Sequence, residues 1–368
     1  MSAKRIINVL VVDDSAFMRR AIAKMIEKED DIAVVGTAAN GEEGVALANQ
    51  LKPDVITMDV EMPGIGGLEA ARAIIERRGP PIIMISALTR DGAETTLRAL
   101  EIGAVDFIPK PDSAYIDILK VQRDLVEKIR LFGSRTAYLR AMQGQPRDAV
   151  AAPPLPAPPA FPPRTASAAR IANFECVALG TSTGGPVALS QILPKLPKAF
   201  PVPIIIVQHM PPGFTRPLAE RLNGSSQITV VEGSPGLVLA AGTAVIAPAG
   251  QQLRLLRTGR GVEVRLEADG ARSSLHVPSV DVMAASVGET YGAAALGVIL
   301  TGMGHDGVEG LKAIKARGGY VIGQDEASAV VYGMPRAAAA AGLVDRVVPL
   351  RGVARTLCEL TGTFYAVV

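Results

Sequence analysis

Val177-Ala178-Leu179-Gly180-Thr181-Ser182-Thr183-Gly184-Gly185-Pro186 is an apolar run that ends in glycines, with a proline where a helix would begin. It reads as a strand that turns tightly into a helix. Gly180-x-Ser182-x-Gly184 also has the spacing of a nucleophile elbow. Small residues flank a serine on a tight turn, its hydroxyl projects into solvent, and backbone N–H groups converge beside it. A phosphate-binding glycine turn or a plain strand end reads the same over five residues. The surrounding chain has to decide between them.

At 368 residues the chain exceeds one ordinary core, so two domains are expected. A net charge of +2 provides no basic field for nucleic acid. Hydrophobic content is 48%, yet no apolar run is long enough to span a bilayer, so direct membrane insertion is not expected. Met1-Ser2-Ala3-Lys4-Arg5-Ile6 lacks the apolar region of a signal peptide. Cys176 and Cys358 are the only cysteines, which argues against a disulfide framework or a zinc cluster. A cytoplasmic protein is expected. His209, His276 and His305 are the only histidines.

Residues 153–163 hold seven prolines and no charge. They read as an extended polyproline spacer of roughly 34 Å at about 3.1 Å per residue. A passive tether is favoured over a proline-motif docking site. The expected organisation is a first domain over 1–133, a linker over 134–170 and a second domain over 171–368.

In the first domain apolar strands at 6–12, 33–37, 55–58, 82–85 and 105–108 alternate with amphipathic helices near 16–28, 42–51, 67–77, 92–102 and 116–131. The alternation implies a doubly wound parallel sheet with its ligand chemistry at the carboxyl ends of the strands. Asp13 and Asp14 follow the first strand, Asp59 the third, Ser86 the fourth and Lys110 the fifth. Clustered carboxylates form a hard-oxygen site suited to Mg²⁺, at Asp13, Asp14 and Asp59. A carboxylate beside that ion can accept a phosphoryl group, with a lysine and a hydroxyl neutralising its oxygens. Over residues 1 to about 125 the pattern resembles the receiver domain of response regulators. The resemblance rests on Asp13-Asp14-Ser15, Met58-Asp59-Val60-Glu61-Met62-Pro63-Gly64 and Pro109-Lys110-Pro111. It implies a flavodoxin-like (βα)5 fold, phosphorylation at Asp59, and Ser86 and Lys110 as switch residues.

In the second domain strands are expected at 176–179, 203–208, 245–248, 297–300 and 320–323. An antiparallel hairpin over 251–256 and 262–266 is expected to be appended to the sheet. Ser182, His209 and Asp306 all fall at strand ends, and carboxyl ends of a parallel sheet share one edge. A serine nucleophile, a base and a carboxylate that orients the base can therefore converge. N–H groups after Ser182, at Thr183, and near Met303 would form an oxyanion hole.

A second assignment follows the chain order of α/β-hydrolases: Ser182, Asp281, His305. It ranks lower, because Asp281 reads as a first-turn residue of a helix. His276 reads as a loop residue with a rim or structural role. A third reading makes residues 180–184 a dinucleotide turn. Gln208 and His209 then stand where a ribose-binding acid is needed.

Across nearly its whole length the chain resembles the chemotaxis response-regulator protein-glutamate methylesterases, the CheB family. The specific stretches are Gly180-Thr181-Ser182-Thr183-Gly184-Gly185, Gln208-His209-Met210-Pro211-Pro212-Gly213-Phe214, Pro278-Ser279-Val280-Asp281-Val282 and residues 300–307. His305 stands where an asparagine is common, and Val277 where a basic residue is usual.

The resemblance implies that Ser182, His209 and Asp306 hydrolyse glutamate γ-methyl esters on methyl-accepting chemoreceptors, with Pro211-Pro212-Gly213-Phe214 at the substrate rim. Receptor glutamine deamidation is chemically related. It also implies a histidine kinase as phosphodonor, Mg²⁺ in the receiver and no cofactor for ester hydrolysis. The unphosphorylated receiver is expected to block the catalytic site. The competing readings are a receiver-controlled serine esterase or amidase with another substrate, and a non-catalytic docking regulator.

Overall fold

Strands flanked on both faces by helices must be apolar throughout, and the central strands of both sheets are buried along their length. The computed structural model describes residues 6–110, 118–143, 174–268 and 276–365. The first unit runs β1 (Ile7–Val12), α1 (Ala16–Ile26), β2 (Ile32–Ala38), α2 (Gly41–Leu51), β3 (Val55–Asp59), α3 (Gly66–Glu76), β4 (Ile82–Ser86), α4 (Arg90–Ile102), β5 (Asp106–Pro109) and α5 (Ile118–Gln143). Its strands form one parallel sheet in the order β2-β1-β3-β4-β5. Ser15, Asn40 and Thr89 cap α1, α2 and α4, each side chain accepting a backbone N–H of its helix's first turn.

The α5 helix continues ten residues past the expected boundary at 133. Gly133 does not stop it. A Cβ there would lie 2.3 Å from the Ile7 side chain, so the glycine lets the helix lie close on β1. The proline run at 153–163, Pro111 and Leu275 lie outside the described residues.

The second unit runs β6 (Cys176–Thr181), α6 (Gly185–Ile192), β7 (Ile204–Gln208), α7 (Thr215–Ser225), β8 (Thr229–Glu232), β9 (Thr243–Ile246), β10 (Gln251–Thr258), β11 (Gly261–Ala268), α8 (Val280–Tyr291), β12 (Ala295–Ile299), α9 (Val308–Ala316), β13 (Tyr320–Gln324), α10 (Met334–Ala340), β14 (Arg346–Val348) and α11 (Val353–Leu360). Seven strands form a second parallel sheet, ordered β14-β13-β12-β6-β7-β9-β8. The edge strands β8 and β14 were not expected. They are three or four residues long with one buried residue each, and so lack the buried apolar run that marks the interior strands.

The expected antiparallel hairpin is present, but it is not appended to the main sheet. β10 and β11 pair with each other as a separate two-stranded sheet. They lie on α8, where the Leu255 N–H donates to Ser286 Oγ at 2.8 Å. Val262, Val264, Leu253 and Leu255 face that core, so the hairpin alternates because one side is packed.

Candidate active site and phosphoacceptor site

The turn after β6 needs two glycines. Gly184 has φ +79°, in the left-handed region, and a Cβ on Gly185 would fall 1.9 Å from Gln208 Oε1. Pro186 then opens α6. Ser182, half-buried on this turn, donates its N–H to the Thr301 carbonyl at 3.0 Å. The buried amide of Gln208 donates to both the Ser182 and His209 carbonyls, each at 2.9 Å. One side chain thus ties the ends of β6 and β7 together.

His209 Nε2 lies 2.7 Å from Asp306 Oδ2, while His209 Nδ1 is buried and has no hydrogen-bond partner among the described residues. Asp306 also accepts from the Val280 N–H at 2.7 Å, Ser279 Oγ at 2.8 Å and the Asp281 N–H at 3.1 Å. Burial would raise its carboxyl. The hydrogen bond and charge of His209, then the Val280 and Asp281 N–H groups, outweigh this and hold it well below the ordinary carboxylate range. The ring of His276 stacks on His209 with centroids 4.1 Å apart and planes 11° from parallel.

The hydrolase-order trio is not assembled. Asp281 Oδ1 accepts the N–H groups of Gly307 at 2.9 Å and Gly310 at 2.8 Å, and His305 is exposed. Burial, with Asp306 nearby, raises the Asp281 carboxyl.

In the first unit one carboxylate oxygen from each of Asp13, Asp14 and Asp59 lies within 4.8 Å of the other two. Asp59 Oδ2 meets Lys110 Nζ at 2.9 Å. Asp13 Oδ1 accepts the Ser15 N–H at 2.9 Å, and its buried Oδ2 has no partner among the described residues. Burial and then the Asp59 charge push the Asp13 carboxyl up to about 6, and burial raises Asp59 against the pull of Lys110. Ser86, fully buried, is engaged with α4. Its Oγ lies 2.8 Å from Thr96 Oγ1 and 3.3 Å from the Gly92 carbonyl.

The two sites are joined by an interdomain seam that the chain's pattern did not reveal. Asp106 Oδ2 accepts from Thr183 Oγ1 at 2.7 Å and pairs with Lys128 Nζ at 2.9 Å. Phe107 stacks on Phe214 with centroids 4.6 Å apart. Arg90 pairs with Glu220 at 3.0 Å, and Glu101 with Arg221. Leu97 and Leu100 of α4 face Pro186, Leu218 and Leu222 across a narrow cleft. Met303 packs against a cluster that joins Val331 to Ile108 and Leu125 of the first unit. Phe214, expected at the substrate rim, is fully buried against Phe107.

Gln208 and Ser279 were also missed as site residues. The available signal was a buried-strand amide and a Ser-x-Asp helix start at residues 279–281.

Two family models match the chain. One for CheB methylesterase matches residues 177–357, and one for the response regulator receiver domain matches residues 9–119. A protein-glutamate methylesterase/protein-glutamine glutaminase of Oleidesulfovibrio alaskensis is 44% identical over 95% of this chain and 98% of its own. A second, from Nitratidesulfovibrio vulgaris, is 45% identical over 95% and 98%. The crystal structure of the Thermotoga maritima CheB methylesterase catalytic domain is 41% identical, with TM-score 0.50, over 51% of this chain and 98% of that one. With a receiver domain ahead of a methylesterase domain and relatives above 40% identity over 95% of its length, the chain belongs to the CheB methylesterase family.

Proposed function

We propose that this protein is a phosphorylation-controlled glutamate methylesterase that acts on methylated chemoreceptors in the cytoplasm. The observation that carries the reading is the 2.7 Å His209–Asp306 contact at the edge where Ser182 turns. With Nε2 held by Asp306, Nδ1 is the ring atom left to take a proton. Ser182 Oγ attacks the γ-ester carbonyl as His209 Nδ1 accepts the serine proton. The Ser182 N–H is spent on Thr301, so the oxyanion falls to the Thr183 and Met303 N–H groups. His209 returns the proton to departing methanol. It then deprotonates a water that cleaves the acyl-serine, restoring the serine and leaving a glutamate carboxylate. The relatives' names also carry glutaminase activity; a glutamine amide would follow the same steps and release ammonia.

Asp13, Asp14 and Asp59 fit Mg²⁺: they are hard oxygen donors in one cluster, and the buried Asp13 Oδ2 lacks a partner. When bound, that ion supplies charge neutralisation at phosphoryl oxygens. Asp59 accepts the phosphoryl group from a histidine kinase, and Lys110 holds one of its oxygens. The seam at Asp106, Phe107 and Thr183 lies beside the nucleophile, so the resting receiver restrains the esterase.

Methanol release from methylated receptor, compared with hydrolysis of small esters, tests the substrate. Release that persists in Ser182→Ala, or small esters turned over faster than receptor, overturns the reading.

A further inference from the structure

The geometry points to Ser279 as a positioning residue for Asp306, an inference that rests on Ser182, His209 and Asp306 forming the triad. Ser279 stands at the N-cap of α8 and is 1% exposed. Its oxygen is 3.5 Å from the Val282 N–H it would cap, but 2.8 Å from Asp306 Oδ1. The shorter contact is the one to Asp306. An ionised carboxylate only accepts, so the hydroxyl proton points to Asp306 and the lone pairs face the helix.

The division of labour on the carboxylate is clear. Oδ1 takes the Ser279 hydroxyl and the Asp281 N–H, whereas Oδ2 takes the Val280 N–H and His209. Anchoring Oδ1 stops the carboxylate from turning about its own axis and aims Oδ2 at His209 Nε2. Ser279 is itself held from the hairpin, where Gln252 Oε1 accepts its N–H at 2.8 Å. Asp281 binds in return the N–H groups of Gly307 and Gly310 around the start of α9, on the segment that carries Asp306. Each aspartate therefore sits on the N-terminus of the other's helix, where negative charge is favoured.

The experiment separates a cap from a positioning hydroxyl. Glycine at an N-cap costs a helix far less than alanine does, yet both remove the hydroxyl. In the full chain treated with a small phosphodonor, Ser279→Ala and Ser279→Gly should each lower kcat for methanol release about tenfold with KM unchanged. The rate of Ser182 labelling by a fluorophosphonate should fall in parallel. Ser279→Gly should keep a Tm near wild type, and Ser279→Thr should recover most of kcat. Wild-type kcat in Ser279→Gly, or a kcat loss that simply follows Tm across the three variants, overturns the proposal. His209→Ala separates the two failures. If it labels slowly while Ser279→Gly labels normally, only the positioning role falls; if it labels normally, the triad falls.

Discussion

Phe107→Ala should switch the esterase on without phosphorylation. Phe107 is carried by β5 of the receiver, and its ring stacks on Phe214 of the catalytic domain at 4.6 Å, with both rings buried. A stacked aromatic pair contributes about 0.5–1.5 kcal/mol beyond its buried area. Truncating a buried phenylalanine costs about 3–5 kcal/mol in all, part of it within the receiver. Assigning about 2 kcal/mol to the seam raises the open-to-closed ratio about 30-fold. From a resting ratio of about 1:99, roughly a fifth of the molecules would then be open.

Basal methanol release should therefore rise about 20-fold, and stimulation by a phosphodonor should shrink from about 100-fold to about fivefold. Phe107→Leu keeps apolar volume in the receiver but loses the stacked pair, so its basal rate should rise by about 2- to 12-fold. A wild-type basal rate in both variants, with Tm showing each folded, would refute the argument that this contact holds the closed state.

Ser182→Ala and His209→Ala should lower kcat by about 10⁴-fold or more, whereas His305→Ala, exposed and outside the triad, should stay within about twofold. Comparable losses at His305 would reinstate the hydrolase order. In chelator, the receiver should gain stability as pH falls from about 6 toward 4, because folded Asp13 binds a proton there that the unfolded chain does not. The value of about 6 against 3.8 corresponds to about 3 kcal/mol, read as a pH-dependent Tm whose slope Asp13→Asn reduces while it removes the response to Mg²⁺. Glu101→Gln should change basal activity by less than about threefold, since its pair with Arg221 is more than a third exposed and screened by water.

The interior strands were legible because burial on two faces demands apolar runs, and Ile204–Gln208 and Ile82–Ser86 are such runs. Their ends were legible for the same reason: a polar residue directly after an apolar strand, such as Asp59 or His209, marks the sheet edge. The edges of the sheet were not legible. Arg346–Val348 is three residues long, with one buried. The domain boundary expected at 133 falls inside a helix, because Gly133 is a packing position against Ile7. The seam was invisible for a stronger reason. Phe107 reads as an ordinary strand residue and Phe214 as a loop residue, and only the docking of two separately folded sheets brings them together.

That docking also explains how one aspartate can govern a distant serine. Two receiver elements each have one end at the phosphoacceptor and another contact on the catalytic domain. β5 is followed directly by Lys110, bonded to Asp59, and presents Asp106 and Phe107 to Thr183 and Phe214. α4 meets Ser86 through Thr96, and its Arg90, Leu97, Leu100 and Glu101 line the seam. On the proposed function, a phosphoryl group at Asp59 would add about −1.5 to −2 charge, and Lys110 and Ser86 would be the cation and hydroxyl to meet it. Drawing Ser86 toward that charge means giving up its contact with Thr96, which biases α4 directly. Re-aiming Lys110 pulls on the strand that carries Phe107. The exposed ion pairs contribute little to the closed state and the buried ring stack contributes most. On the proposed function, the decisive movement would be the one that separates Phe107 from Phe214 and frees Thr183 from Asp106, uncovering the turn that carries Ser182.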